Sequence, residues 1–72
     1  MIKLHRDPQS GWRYTQDNQY VIHKTYDSYL RWSVRELSND GSYRLIHRFC
    51  TLKQAREYLE RLPIYNTPLD GV

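Results

Sequence analysis

The feature that most constrains this chain is residues 47–62, where an apolar-alternating run gives way to a helix. Thr51 is a good N-cap and Gln54 follows three residues on, so the Thr hydroxyl and the Gln amide can each satisfy a free backbone N–H of the first turn. Leu52, Ala55, Leu59 and Leu62 then recur at 3-4-3 spacing, which sets all four on one stripe of a 3.6-period helix. Such a stripe has to be buried against another element, and what precedes it reads as a sheet.

Residues 12–15 and 20–26 are rich in aromatic and β-branched side chains, with the polar residues 16–19 between them, which predicts a hairpin. Asp27 and Ser28 end it. Residues 29–37 alternate cleanly, with Leu30, Trp32 and Val34 on one face and Arg31, Ser33 and Arg35 on the other. The turn at 38–41 contains Gly41, which takes φ > 0 without steric cost, and residues 43–49 form the next strand.

Two registers compete at that turn. A three-residue loop with Gly41 in a bulge pairs Ser38 with Ser42 and leaves both faces mixed, whereas a two- or four-residue loop shifts the pairing by one. In the shifted register Leu30, Trp32 and Val34 share a face with Tyr43, Leu45, His47 and Phe49. The other face then collects Arg31, Ser33, Arg35, Arg44, Ile46 and Arg48. Burying a large apolar side chain is worth roughly 1.5–3 kcal/mol, more than a turn preference, so the segregated register is the expectation. The helix would close the core over the Trp32 and Phe49 face.

The fold class is therefore α+β: a three- or four-stranded antiparallel sheet with one C-terminal helix packed on one face. Residues 1–11 read as an N-terminal arm, because the turn chemistry around Asp7, Pro8 and Gly11 separates them from the first periodic run. Residues 12–62 make the single sheet and helix domain. Pro63 stops the helix, and 63–72 form a tail whose Ile64, Tyr65 and Leu69 are candidates to pack back.

At 72 residues the domain buries only about 60% of its unfolded surface, so its core is small. The single Cys50 excludes an internal disulfide and fits a reducing compartment. Charges at Lys3, Arg6 and Asp7 leave no signal-peptide core, and no run approaches the ~18 apolar residues of a membrane span, so the expected location is cytoplasmic.

A net charge of +3 suits an anionic partner, and ten aromatic residues, seven of them Tyr, can fill a small core from its edge or serve as contact residues on a binding face. Asp17, Asp27 and Asp40 fall in turns and Glu36 near a strand end, so the strands present arginines. With a four-residue loop, Arg31 would face Arg48 and Arg35 would face Arg44, a repulsion that a bound anion relieves. The candidate nucleic-acid-binding residues are Arg31, Arg35, Arg44 and Arg48, as phosphate or guanine contacts, with Lys24 and Tyr29 flanking them.

The set Trp32, Gly41, Phe49, Cys50 and Thr51, with Ala55, Tyr58 and Leu59 behind it, resembles the three-stranded sheet plus helix at the front of phage-type tyrosine recombinases, the arm-binding domain. Plant ethylene-response factors share that module. The resemblance covers residues 29–62 and implies a sheet that enters the DNA major groove. The families' base-reading residues are not part of the matching pattern, so only the fold and the use of the sheet face carry over. A small phage or mobile-element accessory protein acting on duplex DNA is what it implies.

A protein-binding module, an inhibitor or adaptor using the same Tyr- and Arg-rich face, is the second reading, since Tyr, Trp and Arg also dominate interface hot spots. Other chemistry has less behind it. His47 and Cys50 are three apart, but His5 and His23 do not supply the spacing of a four-ligand zinc site. No base pairs with Cys50, and the aspartates have turn roles, so the expectation is a non-enzymatic protein without cofactor or metal.

Overall fold

The computed structural model describes residues 2–65. Five strands, β1 Leu4–Arg6, β2 Arg13–Thr15, β3 Tyr20–Lys24, β4 Trp32–Leu37 and β5 Tyr43–Phe49, form one antiparallel sheet in chain order, and helix α1, Leu52–Glu60, follows. The α+β class and the C-terminal helix agree with the sequence reading, but the sheet is wider than three or four strands.

The additional strand is β1, inside the segment expected to be an arm. Its turn explains the difference. The Asp7 carboxylate accepts from Gln9 N–H and Ser10 O–H, Gly11 sits at φ 78° and donates to the Asp7 carbonyl, and Asp7 N–H reaches Trp12 O. This reversal pairs Leu4, His5 and Arg6 with Thr15, Tyr14 and Arg13. Turn residues that read as the end of an arm are the connection of a hairpin.

Strand β4 starts later than the alternation suggested. One Asp27 carboxylate oxygen accepts from both Tyr29 N–H and Leu30 N–H, while Thr25 donates its hydroxyl to Leu30 O and its amide to Arg31 O. This Asx turn holds residues 27–31 as a loop.

The β4–β5 hairpin departs from the segregated register over residues 43–45 and keeps its facing of Trp32 and Val34 with His47 and Phe49. Ser38 N–H bonds to Ser42 O across a three-residue loop, with Gly41 at φ 88°, so Leu37 pairs with Tyr43, Glu36 with Arg44 and Arg35 with Leu45. A bulge opposite the Val34/Arg35 step then shifts the ladder, and Val34 pairs with His47, Ser33 with Arg48 and Trp32 with Phe49. The favoured turn and the apolar pairing near the helix are both satisfied, because the bulge absorbs the one-residue mismatch. Ile46, expected among the arginines, packs against the core, and Leu45, expected in the core, is 41% exposed on the other side.

Helix α1 is capped as its sequence requires. Thr51 Oγ1 accepts from Gln54 N–H at 3.1 Å, and Gln54 Oε1 accepts from Cys50 N–H at 3.2 Å. Ala55 and Leu59 are fully buried against Ile22 and Val34, with Trp32, Ile46, Phe49, Leu52 and Tyr58 around them. His47 shares this side of the sheet, as expected, but as an exposed ring lying flat on Tyr58 at 5.5 Å.

Ile2 and Tyr65, the outermost described residues, are both tied to the domain. Arg56 donates to Ile2 O, and Tyr65 O–H reaches Asp17 Oδ1 at 2.8 Å with its ring edge-on to Tyr20. Ile64 is exposed, and Leu69 lies outside the described residues. No helix among the described residues is long and apolar enough to cross a membrane.

Candidate nucleic-acid interface

Strand alternation and register assign the side chains to two faces. The helix side carries Leu4, Thr15, Tyr20, Glu36 and Arg44 in one row, Arg13, Ile22, Val34 and His47 in the next, and Lys24, Trp32 and Phe49 beyond. The opposite face carries His5, Tyr14, Val21, Arg35 and Leu45 in one row and His23, Ser33 and Arg48 in another. No described element packs across it.

The six sequence candidates therefore separate. Arg35 and Arg48 stand on the open face, and Arg31 is exposed in the loop one residue ahead of β4. Arg44 does not join them. It pairs with Glu36 on the helix side, its guanidinium 3.8 Å from the carboxylate, which also accepts from Tyr20 O–H at 2.9 Å. Burial and this carboxylate push the Tyr20 phenol up to about 12. The three-residue loop is the reason: one step of register turns Arg44 over and puts Glu36, not Arg35, opposite it. Arg48 faces Ser33 rather than Arg31, so the expected opposition of arginines across β4 and β5 is absent. Lys24 projects from the helix side at the end of β3, and Tyr29 stands 72% exposed in the β3–β4 loop.

Sequence reading missed the aromatic layer of the open face. Trp12 stacks on His23 with centroids 4.4 Å apart and planes 14° from parallel, Tyr14 stacks on His5, and Tyr43 meets Tyr14 edge-on at 5.9 Å. Arg35 is threaded into this layer. Its Nε–H donates to His23 Nε2 at 2.9 Å and its NH1 to Tyr43 O at 3.2 Å. Tyr43 O–H in turn reaches Asn18 O at 2.6 Å. Val21, between Tyr14 and Arg35, and Ser33, between His23 and Arg48, are buried beneath. The signal is present as alternation, Trp12 with Tyr14 and Val21 with His23, but the stacking itself depends on cross-strand pairing that alternation alone does not give.

The electrostatics of this layer have one sign. Among the described strand residues of the open face there is no carboxylate, because Glu36 turns to the helix side. Asp27 lies at the rim; backbone N–H groups of Tyr29 and Leu30 hold its carboxyl below its ordinary range, and the Arg48 charge adds to them. Burial lowers the His23 pKa, and the Arg35 and Arg48 charges lower it further against the opposing pull of Lys24 O. No group of three or more His, Cys, Asp and Glu side chains converges as a metal site among the described residues.

Comparison with known protein families, with curated proteins and with solved structures returns no match to this chain.

Proposed function

We propose that this protein binds nucleic acid, duplex DNA in the first instance, through the open face of its sheet, without catalysing a reaction. The observation that carries the reading is a face with Arg35 and Arg48, two histidines and three aromatic rings, no carboxylate on its described strand residues, and the exposed Arg31 in the loop just ahead of β4. Arginine contacts phosphate oxygens and the guanine edge, and a twisted antiparallel sheet can enter a major groove. The likeness to the recombinase arm-binding module supports the same use of the sheet. Tyr29 flanks the arginines at one end; Arg44, turned to Glu36, is left out of the site.

A binding isotherm at two salt concentrations tests this. Three neutralised phosphates give a slope of log K on log [salt] of about −2.7, or roughly 40-fold weaker binding between 50 and 200 mM salt. Arg31→Ala/Arg48→Ala is expected to abolish most of that slope. No duplex binding at low salt would sink the proposal, and binding unaffected by the double substitution would sink its residues.

Two observations favour a second reading, a protein partner. Leu45 is exposed on the same face, and Arg35 already spends donors on His23 and Tyr43. A flat salt response with retained binding to a protein would select it.

A further inference from the structure

On the helix side of the sheet, Arg6 and Arg13 stand directly opposite each other on β1 and β2. Arg13 pairs in turn with Ile22, two positions before Lys24, and Lys24 faces Trp32. Alternation brings all three cations and Trp32 to one side, and α1 packs chiefly on β4 and β5, away from them. With Trp12 and Tyr26 they line a cleft of about 510 Å³, within the ~300–1,000 Å³ range of small-ligand sites.

The charge of this cleft is unbalanced. No carboxylate is among its described lining residues; of the two that adjoin them in sequence, Asp7 accepts from Gln9 and Ser10 and Asp27 from the Tyr29 and Leu30 N–H groups. Like charges directly opposed across an antiparallel pair repel. The Arg13 guanidinium lies 5.5 Å from the Trp32 ring centroid, a cation–π contact that offsets part of this. The Arg6 guanidinium lies against Gly11, where a Cβ would come 3.5 Å from it. An anion held between the two arginines and Lys24 removes the repulsion.

The rings narrow the ligand class. Tyr26 is 107% exposed, so its whole face is free for stacking, and Trp12 is shared between the cleft and the open face, where it stacks on His23. We propose that this cleft binds an unpaired nucleotide, its phosphate between Arg6, Arg13 and Lys24 and its base against Tyr26 and Trp12. The inference rests on the nucleic-acid reading of the open face for its ligand class. Base–aromatic stacking tolerates every base, so the site selects unpaired over paired nucleotides rather than a sequence.

Both tryptophans of the chain line the cleft, so intrinsic fluorescence responds to its occupancy, and the cleft variants below separate that response from binding on the open face, which Trp12 also reaches. The full chain is titrated with a 5′-mononucleotide, the matching nucleoside, inorganic phosphate, and a short 5′-phosphorylated single strand, with correction for base absorption. Saturable quenching by mononucleotide and single strand is expected, with nucleoside and phosphate alone at least about tenfold weaker, since each forfeits either the charge-assisted bonds or the stacking. Saturation by the strand at far lower concentration assigns the source to a strand terminus; equal saturation assigns it to a free nucleotide.

Arg13→Gln and Arg6→Gln/Lys24→Gln should each weaken quenching about tenfold or more, while Lys53→Ala on the exposed side of α1 leaves it unchanged. Arg6 and Lys24 are exposed, so the double variant keeps the test open if thermal melting shows that Arg13→Gln does not fold. Absence of saturable quenching by both nucleotide and strand, or equal quenching by phosphate or nucleoside, overturns the assignment. The mononucleotide titration contains no duplex: its failure beside intact duplex binding removes the cleft alone, and the reverse outcome removes the open-face reading alone.

Discussion

The Arg35–His23 contact fixes a protonation state. Because Arg35 Nε–H donates to His23 Nε2, that nitrogen must hold its lone pair, and the ring proton sits on Nδ1, 3.2 Å from Lys24 O. Protonating the ring breaks the Arg35 bond and sets a cation beside two guanidinium groups. Burial first, and the Arg35 and Arg48 charges after it, accordingly keep the His23 pKa below its ordinary 6.5. Between that depressed value and 6.5 the unfolded chain holds a proton that the native protein does not, so stability rises with pH across the window. The contribution is complete above 6.5 and is lost as pH falls from there through the folded value. Denaturation midpoints should therefore decline as pH falls below 6.5, and His23→Gln should remove that decline while leaving the more acidic losses that belong to the carboxylates. NMR titration should find His23 below 6.5 and raised by Arg35→Ala. A His23 titrating at or above 6.5 would contradict the tautomer and the contact.

At the scale of the element, what sequence revealed depended on whether the determining interactions were local. Helix α1 was legible because Thr51, Gln54 and the Leu52, Ala55, Leu59 stripe are read within a few residues of one another, and Thr51→Ala is expected to cost about 1 kcal/mol in denaturant titration. The β4–β5 hairpin was not. Its turn chemistry and its apolar segregation demanded registers one residue apart, and they looked like alternatives. A bulge reconciles them, and adjacent apolar residues such as Leu45 and Ile46 do not reveal which one it turns inward. The same step of register carries Arg44 to the helix side, opposite Glu36 and away from the open face. The two registers make opposite predictions. In the observed one, Leu45→Asn should change stability by less than about 1 kcal/mol and Ile46→Asn should cost about 1–2 kcal/mol, a half-buried share of a full side-chain burial. The reverse order in urea titrations would restore the segregated register.

Across the described residues as a whole, the consequential departure is that residues 2–6 belong to the fold. Ile2 and Leu4 pack against the core, Leu4 and His5 pair with Thr15 and Tyr14, and Arg56 reaches from α1 to Ile2 O, so the first strand is joined to the last helix. Without β1, strand β2 becomes a sheet edge with only three residues of its own, the His5 ring no longer covers Tyr14, and Arg13 loses its cross-strand neighbour. An arm would be dispensable; an edge strand is not. Deleting residues 1–6 should lower stability by about 2–4 kcal/mol, from the lost partial burial of two aliphatic side chains and the ladder, out of a total of about 5–15 kcal/mol. For a chain of this size that is a fall in Tm of roughly 10 °C or more, with a smaller denaturant m value because less surface is exposed on unfolding. The point variant Leu4→Ala should move Tm in the same direction by a smaller amount, since it keeps the backbone pairing and removes only the packing. If both changes left the midpoint where it was, the first six residues would be an arm after all, and the cleft that needs Arg6 would lose one of its walls.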